Sequence, residues 1–222
     1  MAMILTDGYG DVPPGKIAAV VTSLEMLAPA APRTDARNGG DAAKKHDAAN
    51  ENGAANRWDL RHVEHPDPAW YRDLFARVGE PWLWFSRLMM PTPELTSIIH
   101  DPLVDVFALW RGDRAEGLLE LDFRVDDECE LSFFGVTPPL IGSGAGRFMM
   151  NHAIARAWSH PTRRIRRFWL HTCSLDHPTA LGFYTRSGFV AYRRQIEIAD
   201  DPRLNGRAKQ TAAPHVPIIA LR

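Results

Sequence analysis

Alternating apolar and polar residues predict several β-strands in the middle of the chain. In LELDFRV (119–125) every second residue is apolar, and Glu120, Asp122 and Arg124 stand between them. Because successive side chains of a strand point to opposite faces of a sheet, these three charged residues are predicted to share one face. Runs rich in β-branched and aromatic residues predict further strands over 58–65, 104–110, 128–136, 164–173 and 189–198.

Apolar residues at helical spacing predict helices before and after these strands. Trp70, Leu74 and Val78 recur every four residues, and Gly79 and Pro81 predict a break in that helix. Further helices are predicted over 92–100, from the glycine-rich stretch to about 159, and near 178–187. The order is then helices, an antiparallel meander, and alternating strands and helices. This order favours a mixed α/β domain built around one twisted sheet.

Composition divides the chain into three parts. Residues 28–57 contain no Ile, Leu, Val, Met, Phe, Trp or Tyr, and such a segment cannot bury enough apolar surface to offset its chain entropy. We therefore predict a flexible linker over 28–57, an N-terminal accessory segment with a strand over 1–27, and a compact domain over 58–222.

Charge and composition narrow the classes of function. The 222 residues carry a net charge of −1, which provides no long-range attraction for nucleic acid or an anionic membrane. No apolar run is long enough for a membrane span, and the first residues lack the pattern of a signal peptide. The two cysteines, Cys129 and Cys173, resemble no metal-ligand cluster and favour a reducing compartment. We therefore expect a cytoplasmic protein that binds no nucleic acid, membrane or metal.

A glycine-rich turn precedes one of the predicted helices. In FFGVTPPLIGSGAGRFMM (133–150), the glycines Gly142, Gly144 and Gly146 stand at every second position. A helix N-terminus exposes unpaired N–H groups, and glycines let the backbone approach a bound group closely, so a pyrophosphate is a natural ligand. The turn lacks the lysine of NTPase phosphate loops and the spacing of dinucleotide-binding motifs. A glycine turn without a ligand is the alternative interpretation.

Two motifs, in this order along the chain, carry a resemblance to a known family. The first, V-x-P-x-x-x-x-x-G-x-G, begins at Val136 and Pro138 and ends at the last two glycines of the turn. The second, HPTALGFYTRSGF (177–189), fits A-x-x-x-Y-x-x-x-G-F and places Tyr184 within a helix. Together they resemble the GNAT superfamily of acyl-CoA-dependent N-acetyltransferases over residues 58–198.

The resemblance implies a fold, an acyl donor and a set of binding residues. The implied fold is an α/β (mixed α+β) domain whose twisted, mostly antiparallel central sheet is splayed around acyl-CoA and flanked by helices. Acetyl-CoA is the implied donor, with its pantetheine arm along the strand that ends at Val136 and its pyrophosphate on the loop 141–146. Ile141 stands where the family usually has Arg or Gln, and His177 stands where many members carry Asn. The cofactor-binding residues implied in this way are Phe134, Gly135, Val136, Ile141, Gly142, Ser143, Gly144, Ala145, Gly146 and His177.

The resemblance also implies a reaction in which an acceptor amine attacks the thioester carbonyl directly and a thiolate leaves. Tyr184 is the candidate general acid toward that thiolate, and a buried packing tyrosine is the alternative. Glu130 is the candidate base or water-orienting group, and a solvated carboxylate at the strand end is the alternative. Alternation predicts that Glu130 shares a face with Ser132, Phe134 and Val136.

Other charged residues near these motifs have two interpretations each. Glu120 and Asp122 would receive a cationic acceptor or, as we favour, form the solvated face of the sheet. The basic run 163–167 would meet the 3′-phosphate of CoA or, as we favour, lie in solvent where its strand begins. Asp176, just ahead of a proline, is predicted to cap the following helix.

The predicted function is therefore an acyltransferase that moves an acetyl group from acetyl-CoA to an amine acceptor in a ternary complex. A non-catalytic acyl-CoA binding or sensing module of the same fold is the alternative. The expected partners are acetyl-CoA and an unidentified amine. The sequence leaves the acceptor, the acyl-chain preference and the oligomeric state open, with a homodimer among the options.

Overall fold

The computed structural model describes residues 7–33 and 58–220, which form one seven-stranded sheet with helices on both faces. The strands are β1 (Lys16–Met26), β2 (Asp59–His62), β3 (Val104–Arg111), β4 (Arg114–Asp122), β5 (Glu128–Val136), β6 (Arg167–Cys173) and β7 (Val190–Asp200). They lie in the order β2-β3-β4-β5-β6-β1-β7, and every neighbouring pair is antiparallel except β5 and β6. This mostly antiparallel, mixed α/β architecture confirms the predicted fold class.

Helices occupy the segments between these strands. They are α1 (Pro68–Gly79), α2 (Ser86–Met89), α3 (Thr92–Ile99), α4 (Ala145–Trp158) and α5 (Ala180–Arg186), with 3-10 turns at Glu80–Trp82 and Pro138–Leu140. Over the described ranges, no helix is long and apolar enough to cross a membrane. The predicted break after α1 is confirmed, since the 3-10 turn begins directly behind Gly79.

The N-terminal strand β1 lies inside the sheet, between the two strands that come last in the chain. Val21 is opposite Cys173 of β6 on one side and Gln195 of β7 on the other. Leu24 is fully buried in the main core, so β1 contributes packing as well as backbone hydrogen bonds. The strand predicted within 1–27 is confirmed. Residues 34–57 of the predicted linker lie outside the described residues, and the division into domains stays a prediction.

Helix α1 begins at a well-defined N-terminus. Asp67 accepts hydrogen bonds from the backbone N–H groups of Ala69 and Trp70, both at 2.9 Å, and Pro68 occupies the first helical position, where no N–H is needed. The helix then buries its apolar stripe, including Tyr71 and Phe75, against one face of the sheet. Fixing α1 in this way also fixes the 3-10 turn and α2, which follow it.

The charged face predicted for β4 is not solvated, so that prediction is wrong for Glu120. Leu119 packs beneath α4 on one side of the sheet, and Leu118 packs beneath α1 on the other. Glu120 shares the α1 side with Leu118 and is fully buried. An alternating pattern identifies two faces but does not show whether a polar face is covered, and here the helices α1 and α2 cover it.

Candidate active site

The sheet opens between β5 and β6. Their parallel pairing extends only from Glu128, opposite Arg167, to Glu130, opposite Trp169. Beyond that point β5 pairs with β4 alone and β6 pairs with β1 alone. A cavity of about 780 Å³ fills this region, lined by both diverging strands. The inner edge of β5 therefore presents backbone N–H and C=O groups to whatever occupies the cavity.

A β-bulge at Ser132 lies two residues after the last β5–β6 pair. Glu120 is opposite Phe133 whereas Leu121 is opposite Leu131, so Ser132 is the extra residue on β5. Such a bulge bends its strand and shifts the alternation of side chains by one position. Glu130 consequently shares a face with Phe133, and the predicted shared face with Phe134 and Val136 is wrong.

The glycine turn forms the end of the cavity at the N-terminus of α4. Gly142 has a φ of 77° and Gly144, the N-cap of α4, a φ of 95°, a region that L side chains rarely adopt. A Cβ added to Gly142 would meet nothing within 4 Å, so the turn requires glycine there for its conformation rather than for space. Gly142, Gly144 and Gly146 all line the cavity. The N-terminus of α4 therefore borders the cavity, and a helix N-terminus is a place where anions bind.

Most of the predicted cofactor-binding residues lie together around this cavity. Its lining includes Phe134, Gly135, Val136, Ile141, Gly142, Gly144, Gly146 and His177. Ser143 and Ala145 do not line it: the Ser143 hydroxyl donates to the Leu140 carbonyl at 2.6 Å, and Ala145, the first residue of α4, is fully buried. The side chains of these two residues therefore stabilise the turn on the side away from the cavity. Their role in cofactor binding stays a prediction.

His177 and Asp176 stabilise the cavity wall near α5. The Nδ1 atom of His177 accepts the N–H of Thr179 at 3.1 Å, and its ring packs edge-on against Trp82 with centroids 4.9 Å apart. Asp176 accepts the N–H of Cys173 at 2.8 Å and the indole N–H of Trp84 at 3.2 Å. The predicted helix-cap role of Asp176 is therefore wrong, because its carboxylate binds the end of β6 and the aromatic wall instead.

Tyr184 lies on α5 and lines the cavity with only 9% of its surface exposed. Its ring packs edge-on against Phe134 and Phe183, at centroid distances of 6.3 and 5.5 Å. Burial raises the pKa of the Tyr184 phenol, and the nearby Asp176 carboxylate raises it further. The phenol therefore stays protonated across the neutral range, as a general acid requires.

Glu130 lines the same cavity from the strand β5. It lies opposite Asp122 of β4, whose carboxylate pairs with Arg124 at 2.5 Å. Burial raises the pKa of Glu130 to about 7, and the carboxylates of Asp122 and Glu120 add to the shift. A carboxyl group with this pKa exchanges protons near neutral pH, which suits a general base.

A buried polar cluster beneath the cavity was not predicted from the sequence. Glu120 accepts hydrogen bonds from the Tyr71 hydroxyl and from Nη2 of Arg87, the latter at 2.5 Å. Arg87 also lies over the ring of Phe133, 5.0 Å from its centroid, and lines the cavity. These residues come from α1, α2 and β4 and share no motif, so only the tertiary structure brings them together. Their charges balance within the wall.

The basic residue Arg147 also lines the cavity and was missed. It occupies the first turn of α4, directly after the last glycine of the turn. A cation immediately behind a glycine-rich anion turn is a signal that the sequence does contain.

The chain belongs to the acetyltransferase (GNAT) family, whose model matches residues 62–189. Its fold is similar to that of a conserved protein of unknown function from Staphylococcus epidermidis, at 14% identity and a TM-score of 0.53 over 84% of this chain and 63% of that one. It is also similar to a GCN5-related N-acetyltransferase from Sphaerobacter thermophilus, at 15% identity and a TM-score of 0.53 over 85% of this chain and 53% of that one.

At these identities the likeness concerns the fold alone, and the chain spans less than two thirds of the length of either structure. No curated protein matches the chain.

Proposed function

We propose that the protein transfers an acetyl group from acetyl-CoA to an amine acceptor by direct attack in a ternary complex. The observation that carries this proposal is the single cavity in which the free edge of β5, the N-terminus of α4, Glu130 and Tyr184 meet. An extended pantetheine arm would hydrogen-bond along β5 as an added strand would, and the pyrophosphate would lie on the glycine turn. The thioester would then lie between the two candidate catalytic residues.

The proposed reaction needs three proton transfers. The acceptor reaches the site as an ammonium ion, and Glu130 removes a proton, directly or through water, so that the nitrogen lone pair attacks the thioester carbonyl. The new C–N bond forms, the C–S bond breaks, and the departing CoA thiolate takes a proton from the phenol of Tyr184. The nitrogen loses its second proton as the amide forms, and this proton restores the phenol of Tyr184 through water.

The wall that faces the proposed acceptor is aromatic and held in a fixed conformation. Trp82 and Trp84 line the cavity on either side of Leu83, which has a φ of 57° and is almost fully buried. Such a conformation is costly for a branched side chain and persists only where the surroundings impose it. The loop after β7 does so, since Ala213 donates its N–H to the Glu80 carbonyl and packs against Leu83.

The cofactor assignment is tested by calorimetric titration of the wild-type protein with acetyl-CoA, with NADH as a negative control. Gly144→Glu is expected to raise the Kd for acetyl-CoA by at least about 10-fold, because it places a carboxylate beside the pyrophosphate. Gly112→Glu is the matched control: Gly112 also has a positive φ, of 61°, but lies in the β3–β4 turn away from the cavity. Equal Kd values for the two variants would contradict the assignment.

Transfer itself is tested by amine-dependent release of the CoA thiol across a panel of primary amines. Release that depends on an amine supports the enzyme, whereas tight acetyl-CoA binding without any release would support the non-catalytic module.

Tyr184→Phe is expected to lower turnover by about 100-fold while changing the Kd for acetyl-CoA by less than about twofold. The substitution removes only the phenolic O–H and keeps the ring packed against Phe134. Single-turnover rates and calorimetry on the same preparation measure the two effects separately. Turnover equal to that of the wild type would show that Tyr184 is a packing residue.

A further inference from the structure

Residues 27–33, which follow β1, are bound to the two helices that border the cavity. The N–H of Arg33 donates to Oδ1 of Asn151 at 3.1 Å, and Nδ2 of Asn151 donates to the carbonyl of Arg33 at 3.0 Å. Asn151 lies on α4. Ala30 packs closely against Gly188, the residue that terminates α5: a Cβ at Gly188 would come within 2.7 Å of the Cβ of Ala30. The backbone of Arg33 is therefore fixed against α4, and the segment before it packs against the end of α5.

This attachment brings Arg33 to the cavity, which it lines together with Arg147 of α4 and Arg186 of α5. The carboxyl groups of Asp122 and Glu130 lie at the other end, where β5 leaves β6. The two other arginines of the lining, Arg87 and Arg124, are paired with Glu120 and Asp122. Arg33 also lies outside the stretch 62–189 that matches the family.

CoA carries a third phosphate, on the ribose 3′ position, and the ribose separates it from the pyrophosphate. Three of the four arginines in the basic run 163–167 pair with carboxylates. Arg163 pairs with Asp126, and Arg167 pairs with Glu25 at 2.7 Å, where β6 begins. Neither arginine lines the cavity.

We infer that Arg33 binds the 3′-phosphate of CoA, and that Asn151 positions Arg33 for this contact. The inference rests on the proposed function, since it deepens the binding of the same coenzyme. A guanidinium group suits a phosphate because it donates two parallel charge-assisted hydrogen bonds. The N-terminal segment, which contributes an interior strand to the sheet, thereby also contributes a ligand-binding residue.

The inference is tested by calorimetric titration of each protein with CoA and with 3′-dephospho-CoA. The wild type is expected to bind CoA about 10-fold more tightly. Arg33→Ala should remove this preference by weakening CoA binding alone, Arg33→Lys should retain part of it, and Asn151→Ala should reduce it severalfold. Arg163→Ala, which removes an arginine of the basic run, should leave both Kd values unchanged.

Two outcomes would overturn the role of Arg33. One is an equal loss of affinity for both nucleotides in Arg33→Ala, and the other is no loss for CoA. Failure of the proposed function would look different, because the wild type itself would then bind neither nucleotide. Retained 3′-dephospho-CoA binding in Arg33→Ala also shows that the variant is folded.

Discussion

Glu130→Gln is expected to lower turnover by about 100-fold at pH 8 and to abolish a rise in rate centred near pH 7. The ionised carboxylate is the active form of a base, and the pKa of Glu130 is raised to about 7 by burial and by the neighbouring carboxylates. The wild-type rate should therefore increase as the pH rises through 7, and the glutamine variant should lack this step. Turnover rates between pH 5.5 and 8.5 at saturating amine and acetyl-CoA measure both effects.

Glu128→Gln is the matched control for this profile. Glu128 lies on the same strand, two residues away, but its carboxylate pairs with Arg167 at 3.2 Å. It should keep the step near pH 7. A step that survives in Glu130→Gln would show that a different group titrates.

The same Glu130→Gln variant is expected to be more stable than the wild type at pH 8, by about 1–3 kcal/mol. The pKa of Glu130 is higher in the folded state, at about 7, than its ordinary value of 4.5, so the folded protein holds this proton more tightly. The stability contributed by the protonated form is present below pH 4.5 and is lost as the pH rises through 7. Urea unfolding should therefore show the difference at pH 8 and little difference at pH 4.5.

Arg87→Met is expected to lower the free energy of unfolding by about 3–5 kcal/mol. It would leave the carboxyl group of Glu120 buried without its cationic partner. Because the fully apolar cluster has no charge to compensate, the triple variant Tyr71→Phe, Arg87→Met, Glu120→Leu should recover most of this loss. Urea unfolding at pH 7 measures each free energy.

Arg124→Met is the matched control for the buried pair. The side chain of Arg124 is 40% exposed in its pair with Asp122, so its loss should cost less than about 1 kcal/mol. Equal costs for the two arginine variants would show that the Glu120 cluster contributes no more than a surface ion pair.

The parts of the site that depend on backbone conformation could be predicted from the sequence. Glycines alternating before a helix require a particular turn whatever packs around them, and Gly142 and Gly144 adopt positive φ values as such a motif implies. The strands of the meander could be predicted for the same reason, because the alternation of apolar and polar residues is a local property of the sequence. Tyr184 followed from a second local motif on α5.

The parts that depend on distant packing could not be predicted. Whether Glu120 faces water is decided by α1 and α2, which lie far from it in the sequence. The bulge at Ser132 determines which residues of β5 share a face with Glu130. A serine at that position does not indicate a bulge, so the sequence does not predict it. Arg33 reaches the cavity only because β1 inserts among the last strands.

The position of β1 has a consequence for how the chain folds. Its partners are the strands that follow residue 166, so two ladders of the sheet close only after nearly the whole chain is available. Contacts at such sequence separation carry a large loop-closure entropy and slow the folding transition. During synthesis β1 emerges from the ribosome before β6 and β7 are made. Its apolar residues stay exposed to solvent until those strands are available. Shortening the chain from its N-terminus would therefore open a gap between β6 and β7 and expose two unpaired edges to aggregation.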